Sequence, residues 1–78
     1  MSEKTKARWT TRARNLIKGE MAHRGLDYEA LAVKLKQQNI HENTANLRTK
    51  INRGTFSFAF ALQVLHAIGC KAVDIDVD

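Results

Sequence analysis

The chain has 78 residues, a net charge of +5, no proline and one cysteine. A chain this short buries only about 60% of its unfolded surface, which leaves room for one core and little for an enclosed substrate pocket beside it. The single Cys70 excludes an internal disulfide and, with it, a stapled secreted mini-protein.

At 44% hydrophobic and 27% charged, the composition is that of a folded domain. No stretch approaches the ~20 apolar residues of a membrane span, and the first eight residues lack the apolar run of a signal peptide. A cytoplasmic location is the expectation. The charge is uneven: residues 1–53 hold twelve of the thirteen Lys and Arg against five acids, a net +7, whereas residues 54–78 carry a net −2. That polarity points to a polyanion met by one side of the molecule.

In chain order, Ala13, Leu16, Ile17 and Met21 recur at helical spacing from Thr11 to Arg24, and Gly25 supplies a stop. Residues 1–10, with Lys4, Lys6, Arg8 and Trp9, read either as an extension of this helix or as a mobile basic arm. Asp27 is an N-cap for a second helix whose apolar side is Ala30, Leu31, Ala32 and Leu35, and Gln37-Gln38-Asn39 is its fraying end and turn.

The third helix has two starts. Asn39 with Glu42 makes a capping-box-like pair, which places Ile40, Thr44, Leu47 and Ile51 on one face; alternatively Asn43 is the cap. Either version runs to about Arg53, ends at Gly54 and turns Leu47 and Ile51 inward. Glu42, Ala45, Asn46, Thr49 and Arg53 then project outward, with Asn43, Arg48 and Lys50 on the flanks.

Ser57 caps a fourth helix with an apolar face of Phe58, Ala61, Leu62, Leu65 and Ile68, widened by Phe60 and Val64 and closed by Gly69. Residues 71–78 alternate Val73, Ile75 and Val77 with Asp74, Asp76 and Asp78, the two-residue period of a strand with one dry face. Such a strand needs a partner strand from another chain or remains a loose, acidic tail. Either it, through Val73, Ile75 and Val77 as candidate dimerisation residues, or the excess apolar surface of the fourth helix could make a dimer.

Four short helices, the third polar outside, follow the helix-turn-helix plan. Gly25-Leu26-Asp27-Tyr28-Glu29-Ala30-Leu31-Ala32 resembles the opening of the second helix in Cro and phage-repressor-like helix-turn-helix proteins. Ile51-Asn52-Arg53-Gly54 is similar to the close of their third helix, and Ser57-Phe58 with Ala67-Ile68-Gly69-Cys70 to their fourth. The string Ala45-Asn46-Leu47-Arg48-Thr49-Lys50-Ile51-Asn52-Arg53-Gly54-Thr55-Phe56 also looks like a family of short bacterial proteins described as a domain of unknown function. One departure stands out: Leu35 to Gly54 is about six residues longer than the compact turn and helix of the motif.

The resemblance implies an all-α, four-to-five-helix lambda-repressor-like domain over 11–70, with a short C-terminal β-strand as an option. It also implies a bacterial or phage transcriptional regulator, nucleoid-associated, that binds double-stranded DNA as a homodimer. Base readout then falls to Asn43, Ala45, Asn46, Thr49, Lys50 and Arg53, because an amide can pair with adenine, a cation with guanine and a methyl with thymine. Phosphate contacts fall to Arg48, Tyr28, Arg8 and Arg12. Two alternatives keep the same fold: an adaptor or inhibitor binding an acidic protein, and a nonspecific nucleic-acid-binding protein.

Catalysis is the class the residues support least. His23, His41 and His66 share no metal-ligand spacing, Gly69 separates His66 from Cys70, the four glycines are dispersed, and Thr10, Thr11 and Ser57 have no activating base. Neither a metal nor a cofactor is expected.

Overall fold

The computed structural model describes residues 3–75, folded as four helices with no strand among the described residues: α1 (Glu3–His23), α2 (Tyr28–Lys36), α3 (Thr44–Arg53) and α4 (Phe58–Ala67). Local chemistry sets most of the boundaries. Asp27, Asn43 and Ser57 sit in extended backbone and accept the amide three residues on, from Ala30, Asn46 and Phe60 at 2.8, 2.7 and 3.0 Å. Each satisfies one of the orphan donors of a new helix.

Three helices end in paired backbone bonds of the Schellman type, with the reversing residue in left-handed conformation: Gly25 after α1, Asn39 after α2 and Gly69 after α4. After α2, the Ile40 amide reaches the Leu35 carbonyl at 2.9 Å and the Asn39 amide reaches that of Lys36 at 3.0 Å. Asn39, at φ 62°, therefore closes α2 and does not open α3. Of the two predicted starts, the one capped by Asn43 forms, and Ile40 packs on the core from the connection. The seven residues 37–43 join α2 to α3, itself only 10 residues long; against a three-to-four-residue turn, this connection holds about half of the extra length anticipated between Leu35 and Gly54.

The N-terminal segment takes the helical of its two readings, with α1 running unbroken from Glu3. At 1.5 Å per residue its 21 residues span about 31 Å, which accounts for the 38 Å long axis of the molecule. Residues 4–9 are exposed, so the first turns of α1 reach beyond the core.

Both α1 and α2 pack against α3 and against α4, enclosing Ile17, Met21, Leu31, Leu35, Leu47, Ile51, Phe60, Val64 and Ile68. In α4 the predicted face is rotated. Phe60 and Val64 point inward, continued by Ile68, while Phe58 and Leu62 face solvent. The helix is apolar nearly all round, so its own periodicity cannot choose a side. The partners on α1 and α2 choose it.

At the end of α1, Arg24 pairs with Glu20 at 2.8 Å, and the Cys70 thiol approaches the same carboxylate at 3.5 Å. The Arg24 hydrogen bond, then that from Cys70, holds the Glu20 carboxyl below its ordinary range. A depressed carboxylate stabilises the fold at neutral pH, and that contribution is lost as the pH falls through its lowered value. Residues 71–75 form no strand, and the four helices offer none for them to pair with. Asp76, Val77 and Asp78 lie outside the described residues. No helix among the described residues is long and apolar enough to cross a membrane.

Candidate functional site

The site grows from α3. Leu47 and Ile51, fully buried, fix which way this helix faces. At 100° per residue the opposite midline is Ala45 and Thr49, with Asn46, Arg53 and Lys50 toward one flank and Arg48 and Asn52 toward the other. Ala45, Asn46, Arg48, Thr49 and Arg53 are all exposed. The Asn43 side-chain oxygen is committed to the Asn46 amide, so Asn43 works first as the cap that starts this surface.

On one flank, Asn46, Thr49, Lys50 and Arg53 line an open groove of about 500 Å³ whose far wall is Phe56 and Ser57 ahead of α4 and Phe60 within it. Glu42, from the lengthened connection, also lines it and pairs with Lys50 at 2.8 Å. The same ammonium lies 4.8 Å from the centroid of the Phe60 ring. Lys50 is thus held by an anion and an aromatic face together, whereas Arg53 is exposed at the end of the same flank.

On the other flank, Tyr28 opens α2 and the Arg48 guanidinium stands 5.5 Å from its ring centroid. Asn52 organises this corner. Its Nδ2 donates to the Tyr28 hydroxyl at 3.2 Å and to the Arg48 carbonyl at 2.8 Å, and its Oδ1 accepts from Lys18 Nζ at 3.1 Å. One amide therefore ties α1, α2 and α3 together. The Tyr28 oxygen accepts from Asn52, which leaves the hydroxyl proton able to donate outward. At the α2 N-terminus itself, the Asp27 carboxylate already occupies the capping position, so the anion-binding capacity there rests on Tyr28 and Arg48.

Sequence reasoning missed Asn52. The available signal was an asparagine in the last turn of a helix, a poor helix former in a place where its side chain needs a reason to be. Asn52→Ala is expected to cost about 1 kcal/mol, the net worth of hydrogen bonds of this kind, read as a lowered urea midpoint with an unchanged slope. A midpoint equal to that of the unsubstituted chain would show that the three helices are fastened elsewhere.

The other predicted residues lie apart from α3's groove. Arg8 is on the exposed first turns of α1. Arg12 is half-buried and lines the crevices that also hold Val73, Asp74 and Ile75. Val73 and Ile75 are exposed on that same side of the molecule, and Val77 is outside the described residues.

The model of the DUF6471 family, a domain of unknown function, matches residues 9–73. The chain belongs to this family. The match takes in α2, α3 and α4 entire and α1 from Trp9 onward, so both flanks of α3 and the lengthened connection are features of the DUF6471 span. It also agrees with the likeness of Ala45 to Phe56 to a short domain of unknown function. No curated protein and no solved structure matches the chain.

Proposed function

We propose that this DUF6471 domain is a sequence-selective double-stranded DNA-binding protein of the helix-turn-helix kind, a transcriptional regulator that lays α3 in the major groove. The observation that carries the reading is the outer surface of α3. It presents an amide, a methyl-bearing hydroxyl and a guanidinium on Asn46, Thr49 and Arg53, over a base of fully buried Leu47 and Ile51. A groove wide enough for an α-helix offers these groups distinct donor and acceptor patterns on each base pair. The net charge of +7 on residues 1–53, a span that includes all of α3, supplies a general attraction for a polyanion.

The roles divide by geometry. Asn46 pairs with an adenine edge, Arg53 with guanine or a phosphate, and Ala45 and Thr49 meet thymine methyls. Arg48 and the Tyr28 hydroxyl hold phosphate on the opposite groove wall, their positions set by Asn52. The lambda-repressor-like fold is part of this proposal. Its seven-residue connection is longer than the three-to-four-residue turn usual in the motif.

Anisotropy of a labelled duplex titrated at several salt concentrations tests the reading. About five neutralised phosphates give a slope near −4 to −5 for log affinity against log salt. Failure to bind any duplex at about 50 mM salt contradicts it, and passes the basic face to an acidic protein partner. Glu42 makes a second expectation. Glu42→Gln removes a carboxylate from the groove and releases Lys50, so affinity should rise by roughly tenfold and the slope should steepen by about one. Unchanged binding would place the Glu42–Lys50 pair away from the DNA.

A further inference from the structure

A second surface lies beside the α3 groove, sharing Phe56 and Ser57 with it. Here α1, the start of α4 and the tail frame an apolar groove of about 320 Å³. Trp9, Phe58, Val73 and Ile75 line it, and Leu62 continues the stripe one turn along α4. These five are the large apolar side chains left open there: Phe58 is 77% exposed, Ile75 72%, Leu62 51%, Trp9 48% and Val73 36%. We infer that this face is where a second copy of the chain docks, in a two-fold dimer that leaves α3 of each copy uncovered.

Area favours this occupant. Aromatic side chains carry roughly 150–250 Å² each and branched aliphatic ones somewhat less, so the open fractions of these five amount to about 500 Å² per copy. Two copies bury about 1,000 Å², the lower bound for a specific interface, before any polar rim is added. A patch of this size also stands at the upper end of what a monomer exposes without a partner.

Charge favours it as well. Lys6 and Arg12 sit one turn to either side of Trp9 on α1, and Asp74 lines the crevice beside Arg12. The rim thus mixes both signs, as an isologous contact between identical faces requires. A uniformly acidic or basic partner gains little from such a rim.

Sedimentation equilibrium of the full chain, without DNA, tests the inference independently of the DNA reading. At about 200 μM the expected mass is twice the 8.8 kDa of the chain. Phe58→Asp and Ile75→Asp each bury a charge in the interface and should raise the dissociation constant by at least ~10-fold. Both positions are exposed in the single chain, so the helical circular dichroism should be retained. A mass of one chain at that concentration overturns the inference and gives the face to some other molecule. A dimer indifferent to both substitutions overturns it too, as does a mass that climbs past two copies without limit.

Discussion

Gly54→Ala is expected to lower the melting temperature by about 15 °C or more, from a loss of roughly 3 kcal/mol. Two costs add. Gly54 caps α3 at φ 69°, where a residue with a Cβ pays about 1–2 kcal/mol. It is also buried with its α-carbon turned onto the backbone of α1, so an added Cβ would overlap the Thr10 carbonyl. Backbone at mid-helix cannot step aside as a flexible side chain can, and forced overpacking costs a further 1–3 kcal/mol or so. Native domains hold only about 0.05–0.15 kcal/mol per residue, so this loss takes a large part of the total. Gly25 separates the two costs. It has nearly the same φ, 67°, but open space around it, so Gly25→Ala should lose only about 1–2 kcal/mol. Equal melting temperatures for the two variants would mean that α1 and the end of α3 do not touch as described.

Asn46→Ala is expected to cost about 1–3 kcal/mol on the preferred duplex and little on others, which flattens sequence preference without changing the salt slope. The side chain is exposed on the groove flank of α3, and its backbone amide, not its side chain, serves the Asn43 cap. The substitution therefore removes a reader while the helix start stays intact. Arg48→Ala is the contrast. Its cation should act on phosphate, so its loss should weaken all duplexes alike and reduce the slope by about one. Competition titrations with a panel of duplexes distinguish these outcomes. If both substitutions weakened every duplex equally, the domain would hold DNA without reading it.

Where a structural choice depends on neighbours in sequence, this chain displays it openly. Asp27 and Ser57 mark helix starts by their side-chain oxygens, Gly25, Gly54 and Gly69 mark ends by their backbone, and the spacing of Leu47 and Ile51 orients α3. Asn39 is the instructive ambiguity. A short amide suits an N-cap and a left-handed C-cap alike, and what decides is Ile40 reaching the core to complete the end of α2.

Contacts across the fold were not legible. Lys18 is 34 residues from Asn52, and Tyr28 is 24, so no local period links them. The Glu42–Lys50 pair spans a cap and two helical turns, and its closure depends on how the connection folds. For α4, an almost uniformly apolar sequence hid which residues are buried, and in doing so hid Phe58 and Leu62 as surface. The order of helices and the inner side of α3 were thus readable, while the way its two flanks are fastened was not.

Selection of bound fragments from a random duplex pool tests whether α3 reads base sequence. The unsubstituted chain should enrich a short motif, and Asn46→Ala should relax one or two positions of it. A pool recovered without enrichment, or one whose motif survives removal of the Asn46 amide unaltered, would contradict the assignment of α3 as the reading element.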